Sequence, residues 1–233
     1  MGLTFNGVTS DSIGVIVDGY YAKSAPERRI TSTQIPGRNG NLITDDEVYE
    51  NITVEYDIYW VPTDTTDLQV TNWLKQGTYY RLIDSQNSQY YRMARVIGPV
   101  DITNHSNCYH SARVSFDCKP QLFLLSGETA QQVSSGGTLT NPTQFSAFPL
   151  LELTCTAKTA GTLVINGSTL YLSAQNTSLH AIIDCEIQNA YYQSTNLNPV
   201  ISGEFPKLSS GSNTITFTGG ITAVKVTPRW WTT

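Results

Sequence analysis

The chain has 233 residues and a mass of 25.7 kDa, enough for two domains of ordinary size. Its net charge is -5 and only 14% of residues are charged. That balance excludes a dedicated nucleic-acid binder, because phosphate neutralisation needs clustered Lys and Arg.

The first half, residues 1–126, reads as β-rich. Glu27 to Thr33 is a polar strand. Ile35-Pro36-Gly37-Arg38-Asn39-Gly40-Asn41-Leu42 then reads as a hairpin tip, with glycines where the backbone is special and one fixed cation. An acidic turn, Thr44 to Glu47, leads into the strand Asn51 to Val61. There Ile52, Val54, Tyr56, Ile58 and Trp60 face one way and Glu55, Asp57 and Tyr59 the other. The one good helix is Thr65 to Gln76. Asp64 caps it, Leu68, Val70, Trp73 and Leu74 give it an apolar face, and Gly77 ends it. Thr78 to Asp84 and Gln89 to Ile97 form a hairpin across Ser85-Gln86-Asn87-Ser88, and Tyr109 to Cys118 alternates again. A single helix on β-sheet predicts a β-sandwich or barrel-like domain with one helical cover.

From 127 to 146 the composition turns to Ser, Thr, Gly and Gln, which predicts a linker or an extended arm. Residues 147–233 then carry about six short strands, an antiparallel β-sandwich. Thr162 to Ile165, Asn166-Gly167 and Thr169 to Leu172 make the clearest hairpin. Asn213 to Phe217 and Ile221 to Thr227 are predicted as a last hairpin across Thr218-Gly219-Gly220.

Chemistry is sparse. His105 and His110 fit no zinc spacing. Asp84, Asp101 and Asp117 sit at strand ends, where Asp makes turns. No nucleophile elbow, phosphate loop or metalloprotease helix is present, so no cofactor, metal or catalytic residue is predicted. Cys108, Cys118, Cys155 and Cys185 lack paired spacing and read as buried thiols. No stretch is apolar enough to span a bilayer, and the N-terminus lacks a secretory pattern, so no membrane partner is expected. The tyrosine doublets Tyr20-Tyr21, Tyr79-Tyr80, Tyr90-Tyr91 and Tyr191-Tyr192 put one ring in and one out. Tyr191, Tyr192, Trp230 and Trp231 could form a carbohydrate or partner platform, although aromatic pairs commonly seal cores.

The order of residues resembles the distal tail protein family (Dit) of long-tailed phages and prophages, chiefly of Gram-positive hosts. The resemblance rests on Phe5-Asn6-Gly7, on Pro36 to Gly40, on Tyr49 with Asn51, and on Trp73-Leu74. It continues through Tyr80-Arg81-Leu82, Tyr91-Arg92-Met93-Ala94, Asn141-Pro142, Gly203-Glu204-Phe205-Pro206-Lys207-Leu208 and Pro228-Arg229-Trp230. It implies an N-terminal ring-forming domain and a galectin-like C-terminal sandwich. It also implies a structural virion protein of the tail tip, assembled in the host cytoplasm as a homo-hexameric ring. The ring's partners would be the tail tube protein, a tail-associated tip protein and a receptor-binding or baseplate protein, with DNA only passing through the central opening. A head-to-tail contact repeats until it closes, so a ring subunit needs a face and a complementary face. Pro36, Gly37, Arg38, Asn39 and Gly40 are the candidate for one. Asp45, Asp46 and Glu47 are candidate acceptors for a neighbour's Arg38. A carbohydrate-binding protein, a cell-wall hydrolase and a tail-tube subunit are the competing expectations.

Overall fold

The computed structural model describes residues 2–18, 25–63, 65–106 and 108–233. Two compact units divide the chain, residues 1–122 (with 233) and residues 123–232. Asp64 and the Tyr20-Tyr21 doublet lie outside the described residues.

The N-terminal unit is built on one antiparallel sheet. Its path is Val8–Thr9, Leu3–Phe5, Tyr80–Asp84, Tyr90–Ile97, Tyr109–Leu124, Ile52–Trp60 and Val15–Val17. Strict alternation decides which side of Ile52–Trp60 is buried: Ile52, Val54, Tyr56, Ile58 and Trp60 are all inside. Phe5 sits at the centre of this core, edge-on to Phe116 at 5.1 Å, Tyr80 at 6.1 Å and Trp73 at 6.5 Å. The opposite face is mixed and carries polar pairs, among them Arg113 forked onto Asp57 at 2.8 and 2.9 Å.

The helix spans Thr66–Leu74, shorter than predicted at both ends. Val70, Trp73 and Leu74 lie on one stripe and enter the core. Leu68 does not join them and is 66% exposed. Two residues before Val70 places it about 200° round the helix from that stripe. Trp73 Nε1 donates to the Phe5 carbonyl at 3.0 Å, so its polar edge is satisfied inside.

The C-terminal unit is a sandwich of two antiparallel sheets. One runs Gln131–Val133, Ile221–Thr227, Leu150–Cys155, Leu179–Asp184, Asn189–Tyr192 and Thr195–Asn196. The other runs Gly137–Asn141, Gly211–Gly219, Gly161–Ile165, Ser168–Leu172 and Ile201–Gly203. Their inner faces share one core that includes Leu151, Ile183, Val224, Leu163, Ile165 and Ile215. The hairpin at Asn166-Gly167 is as predicted, both turn residues having positive φ.

Two expectations are corrected here. The segment 127–146 is not a bare linker: Gln131–Val133 and Gly137–Asn141 are paired strands, and Val133 and Leu139 are core residues. Its polar residues alternate with these few aliphatics, which is enough for edge strands. The final predicted hairpin is instead a crossing between sheets, because Gly211–Gly219 and Ile221–Thr227 belong to different layers. Gly219 and Gly220 permit it: a Cβ on either would collide with the carbonyl of Ala160 or Thr159.

Candidate functional site

Arg28–Gln34 and Asn41–Tyr49 form a two-stranded ribbon, the arm, which among the described residues pairs with no other strand. Every residue of the first strand is exposed, and in the second only Tyr49 is partly covered. Both faces of the ribbon therefore meet solvent. The acidic segment Thr44 to Glu47, predicted as a turn, lies inside the returning strand. Ile52–Trp60 is not the partner of the polar strand but a central strand of the main sheet.

The tip follows from its sequence. The Arg38 amide donates to the Ile35 carbonyl at 3.2 Å, closing a turn with Pro36 at its second position and Gly37 (φ 78°) at its third. That is the residue order of a type II turn, which needs Gly or Asn at the third position. Gly40 (φ 81°) re-enters the second strand. Pro36, Gly37, Arg38, Asn39 and Gly40 are all exposed.

At the base, Arg29 lies opposite three residues, Asp46, Glu47 and Val48, because the register shifts between Arg28 and Ile30. Glu47 occupies φ 58° in this bulge. Asp45 accepts from the Glu47 amide at 2.8 Å and from Arg28 Nε at 2.8 Å, which hold its carboxyl below the usual range. Arg29 donates to Glu50 at 2.5 Å and lowers that carboxyl too.

These pairs redraw the predicted site. Asp45 is engaged by Arg28 of its own hairpin rather than left for a neighbour. Among the described residues the tip cation Arg38 and the two base carboxylates Asp46 and Glu47 form no ion pair, although Asp46 lies in the field of Arg29 and Glu47 in that of Arg28. Tip and base lie roughly 15–20 Å apart along the strands, beyond the reach of one arginine. The same ribbon exposes Ile30, Leu42, Ile43 and Val48.

A second exposed apolar group lies on the outer face of the main sheet. Ile16 (65% exposed) pairs in register with Tyr59, whose ring is 6.2 Å from that of Tyr109. His105 stacks on Tyr109 at 4.4 Å.

The residues considered for chemistry have structural occupations. Trp60 Nε1 donates to Asp67 Oδ1 at 2.8 Å, and His110 Nδ1 lies 2.9 Å from the same oxygen. Asp117 accepts from Tyr79, Asn51 and Arg95. Among the described residues no three of His, Cys, Asp and Glu gather as a metal-binding group. Cys118, Cys155 and Cys185 are buried, which pushes their thiols up to about 12, 11 and 12. Cys108, also expected to be buried, is exposed.

The four predicted platform aromatics do not form one surface. Trp230 is a core residue at 4% exposure. Trp231 stacks on Phe145 at 4.4 Å and donates from Nε1 to the Ser146 carbonyl at 3.0 Å. Tyr192 lies 5.7 Å from the His180 ring, and the half-buried Tyr191 of the same strand lines a shallow concavity. Sequence reasoning missed the apolar residues of the arm, although Ile30, Leu42, Ile43 and Val48 in a strand pair without a core-facing period are the readable signal.

No protein-family model matches the chain, and no curated protein matches it either. Solved structures do. The crystal structure of phage SPP1 Dit (gp 19.1), described as a paradigm of the hub adsorption apparatus in phages infecting Gram-positive bacteria, has a TM-score of 0.75 at 13% identity. That match covers 100% of this chain and 99% of that one. A chain of the phage p2 baseplate in its activated, strontium-containing conformation has a TM-score of 0.53 at 11% identity. It covers 91% of this chain and 90% of that chain. In fold, both units included, this protein is similar to the Dit hub of a siphophage tail.

Proposed function

We propose that this protein is a non-enzymatic structural subunit of a phage tail, a distal hub that closes as a homo-hexameric ring in the virion's tail tip. The ring is assembled in the host cytoplasm. It joins the tail tube protein on one side to a tail-associated tip protein and a receptor-binding or baseplate protein on the other. DNA passes through its central opening without being bound.

The observation that carries this reading is the likeness of the whole chain to the SPP1 hub protein. The arm supports it. A solitary two-stranded ribbon is at best marginal in water. This one exposes four large apolar side chains, and among the described residues Arg38, Asp46 and Glu47 form no ion pair. Both features suit burial against another copy. In a ring, Arg38 of one copy meets Asp46 and Glu47 of the next, and the apolar residues of the arm cover the neighbour's Ile16, Tyr59 and Tyr109. The contact is head-to-tail, so it repeats until it closes.

Negative-stain microscopy of the purified protein tests the reading. Six-fold rings with peripheral lobes are expected. Open-ended filaments would point to a tube subunit instead, and a monomer at every concentration would overturn self-assembly. Charge reversal by Arg38→Glu is expected to leave both units folded and to abolish the rings.

A further inference from the structure

A shallow concavity of about 470 Å³ lies at the edge of the C-terminal unit's six-stranded sheet, lined by Asn189, Tyr191, Gln193, Ser194, Thr195 and Asn196. We propose that it binds a neutral saccharide, a site independent of the arm and of ring formation.

The lining chemistry selects the ligand class. Three carboxamides, two aliphatic hydroxyls and one phenol surround the space, and none of the six side chains is charged. An anion or a cation finds no counter-charge there. A long apolar group finds no greasy wall. A pyranose offers C–H bonds on one face and hydroxyls round its edge. The half-buried Tyr191 ring can take the C–H face and the amides the hydroxyls. The space falls within the usual range for small-molecule sites, roughly 300–1,000 Å³.

The fold also fixes these groups in place. Tyr191 pairs with Asn196 across the narrow Asn189–Tyr192 and Thr195–Asn196 hairpin. Gln193 holds φ 52° at its turn, a position that favours Asn or Gly. Asn198 ties the hairpin from behind. Its Nδ2 donates to Asn189 Oδ1 at 2.8 Å, its amide donates to Asn196 Oδ1 at 2.9 Å, and its Oδ1 accepts from the Ala190 amide at 2.7 Å. Those bonds use both carboxamide oxygens, so Asn189 and Asn196 offer a ligand their Nδ2 donors beside Gln193 and the two hydroxyls. A first contact set by a second layer of hydrogen bonds is what a preorganised site requires.

Saturation-transfer NMR on the full chain tests this in any assembly state. The probes are glucose, galactose, N-acetylglucosamine and their β-linked disaccharides. At least one is expected to bind saturably with a Kd on the order of 1–10 mM, as suits an open polar site. Tyr191→Ala is expected to weaken it at least tenfold. Asn196→Asp, which keeps the oxygen that Asn198 uses but removes the donor, is expected to weaken it several-fold. Tyr171→Ala, an exposed tyrosine on the other sheet, is expected to change nothing. No transfer from any probe at about 20 mM would overturn the proposal. Binding that survives both Tyr191→Ala and Asn196→Asp would overturn it equally, by placing the sugar elsewhere.

Discussion

Two hairpins in this chain look alike in sequence and differ in everything that follows. Gly161–Ile165 with Ser168–Leu172 turns at Asn166-Gly167 and buries Leu163, Ile165, Leu170 and Leu172 in the sandwich. Arg28–Gln34 with Asn41–Tyr49 turns at Pro36-Gly37 and buries nothing of its own. The first is held by its neighbours in a core. Among the described residues the second has cross-strand bonds, the Arg28 guanidinium over the Tyr49 ring and two surface ion pairs, which contribute little in water. The exposed Ile30, Leu42, Ile43 and Val48 are the surface that the proposed ring contact would cover.

The largest contrast is expected from truncating one leucine in each hairpin, the buried Leu163 and the exposed Leu42. Leu163→Ala should cost about 2–5 kcal/mol in urea unfolding of the C-terminal unit. Leu42→Ala should stay within about 0.5 kcal/mol for the isolated chain while weakening assembly. Equal costs would mean that the arm is packed after all.

Glycines sharpen the same contrast. Gly219→Ala should cost roughly 2–4 kcal/mol, because its φ is 68° and a Cβ would meet the Ala160 carbonyl. Gly40 has φ 81° with open space around it, so Gly40→Ala should cost only about 1 kcal/mol. Thermal melts of the two variants separate these values.

The ion pairs come next. Arg229 forks onto the buried Asp184 at 2.8 and 2.9 Å. Burial alone would raise the Asp184 carboxyl. The bonds from Arg229 and the amides of Glu186 and Ile187 outweigh it and hold the group below its usual value. A carboxyl depressed by folding contributes stability above its unfolded pKa, near 3.9. That contribution is lost as the pH falls through the lower folded value. The C-terminal unit should thus lose stability below about pH 4. Arg229→Ala should cost on the order of 1–3 kcal/mol at pH 7 and lose less further stability on acidification. Arg28→Ala, at a surface pair, should leave the melt nearly unchanged. The smallest effect on folding belongs to Arg38→Glu, whose consequence is confined to assembly.

Much of this was legible in the chain. Ile52–Trp60 alternates without a fault, and Asn166-Gly167 names its own turn. Leu68 misled because a short helix offers several apolar residues and only the core decides which stripe is used. Gly219-Gly220 read as a hairpin because close approach and tight turning both ask for glycine. The segment 127–146 hid two strands because edge strands need few apolar residues. The arm was readable as a tip at Arg38, but its length was not: Thr44 to Glu47 is polar enough to read as a turn, and only the register with Arg28 to Gln34 makes it a strand. The saccharide site joins Asn189 and Tyr191 to Asn196 across a hairpin, a meeting that pairing alone reveals.

The most direct test of the arm as the contact between copies is light scattering of the intact chain beside one in which residues 31–44 are replaced by Asn-Gly. The account predicts six times the 25.7 kDa chain for the intact protein and a folded monomer for the shortened one. Equal masses for the two would contradict it.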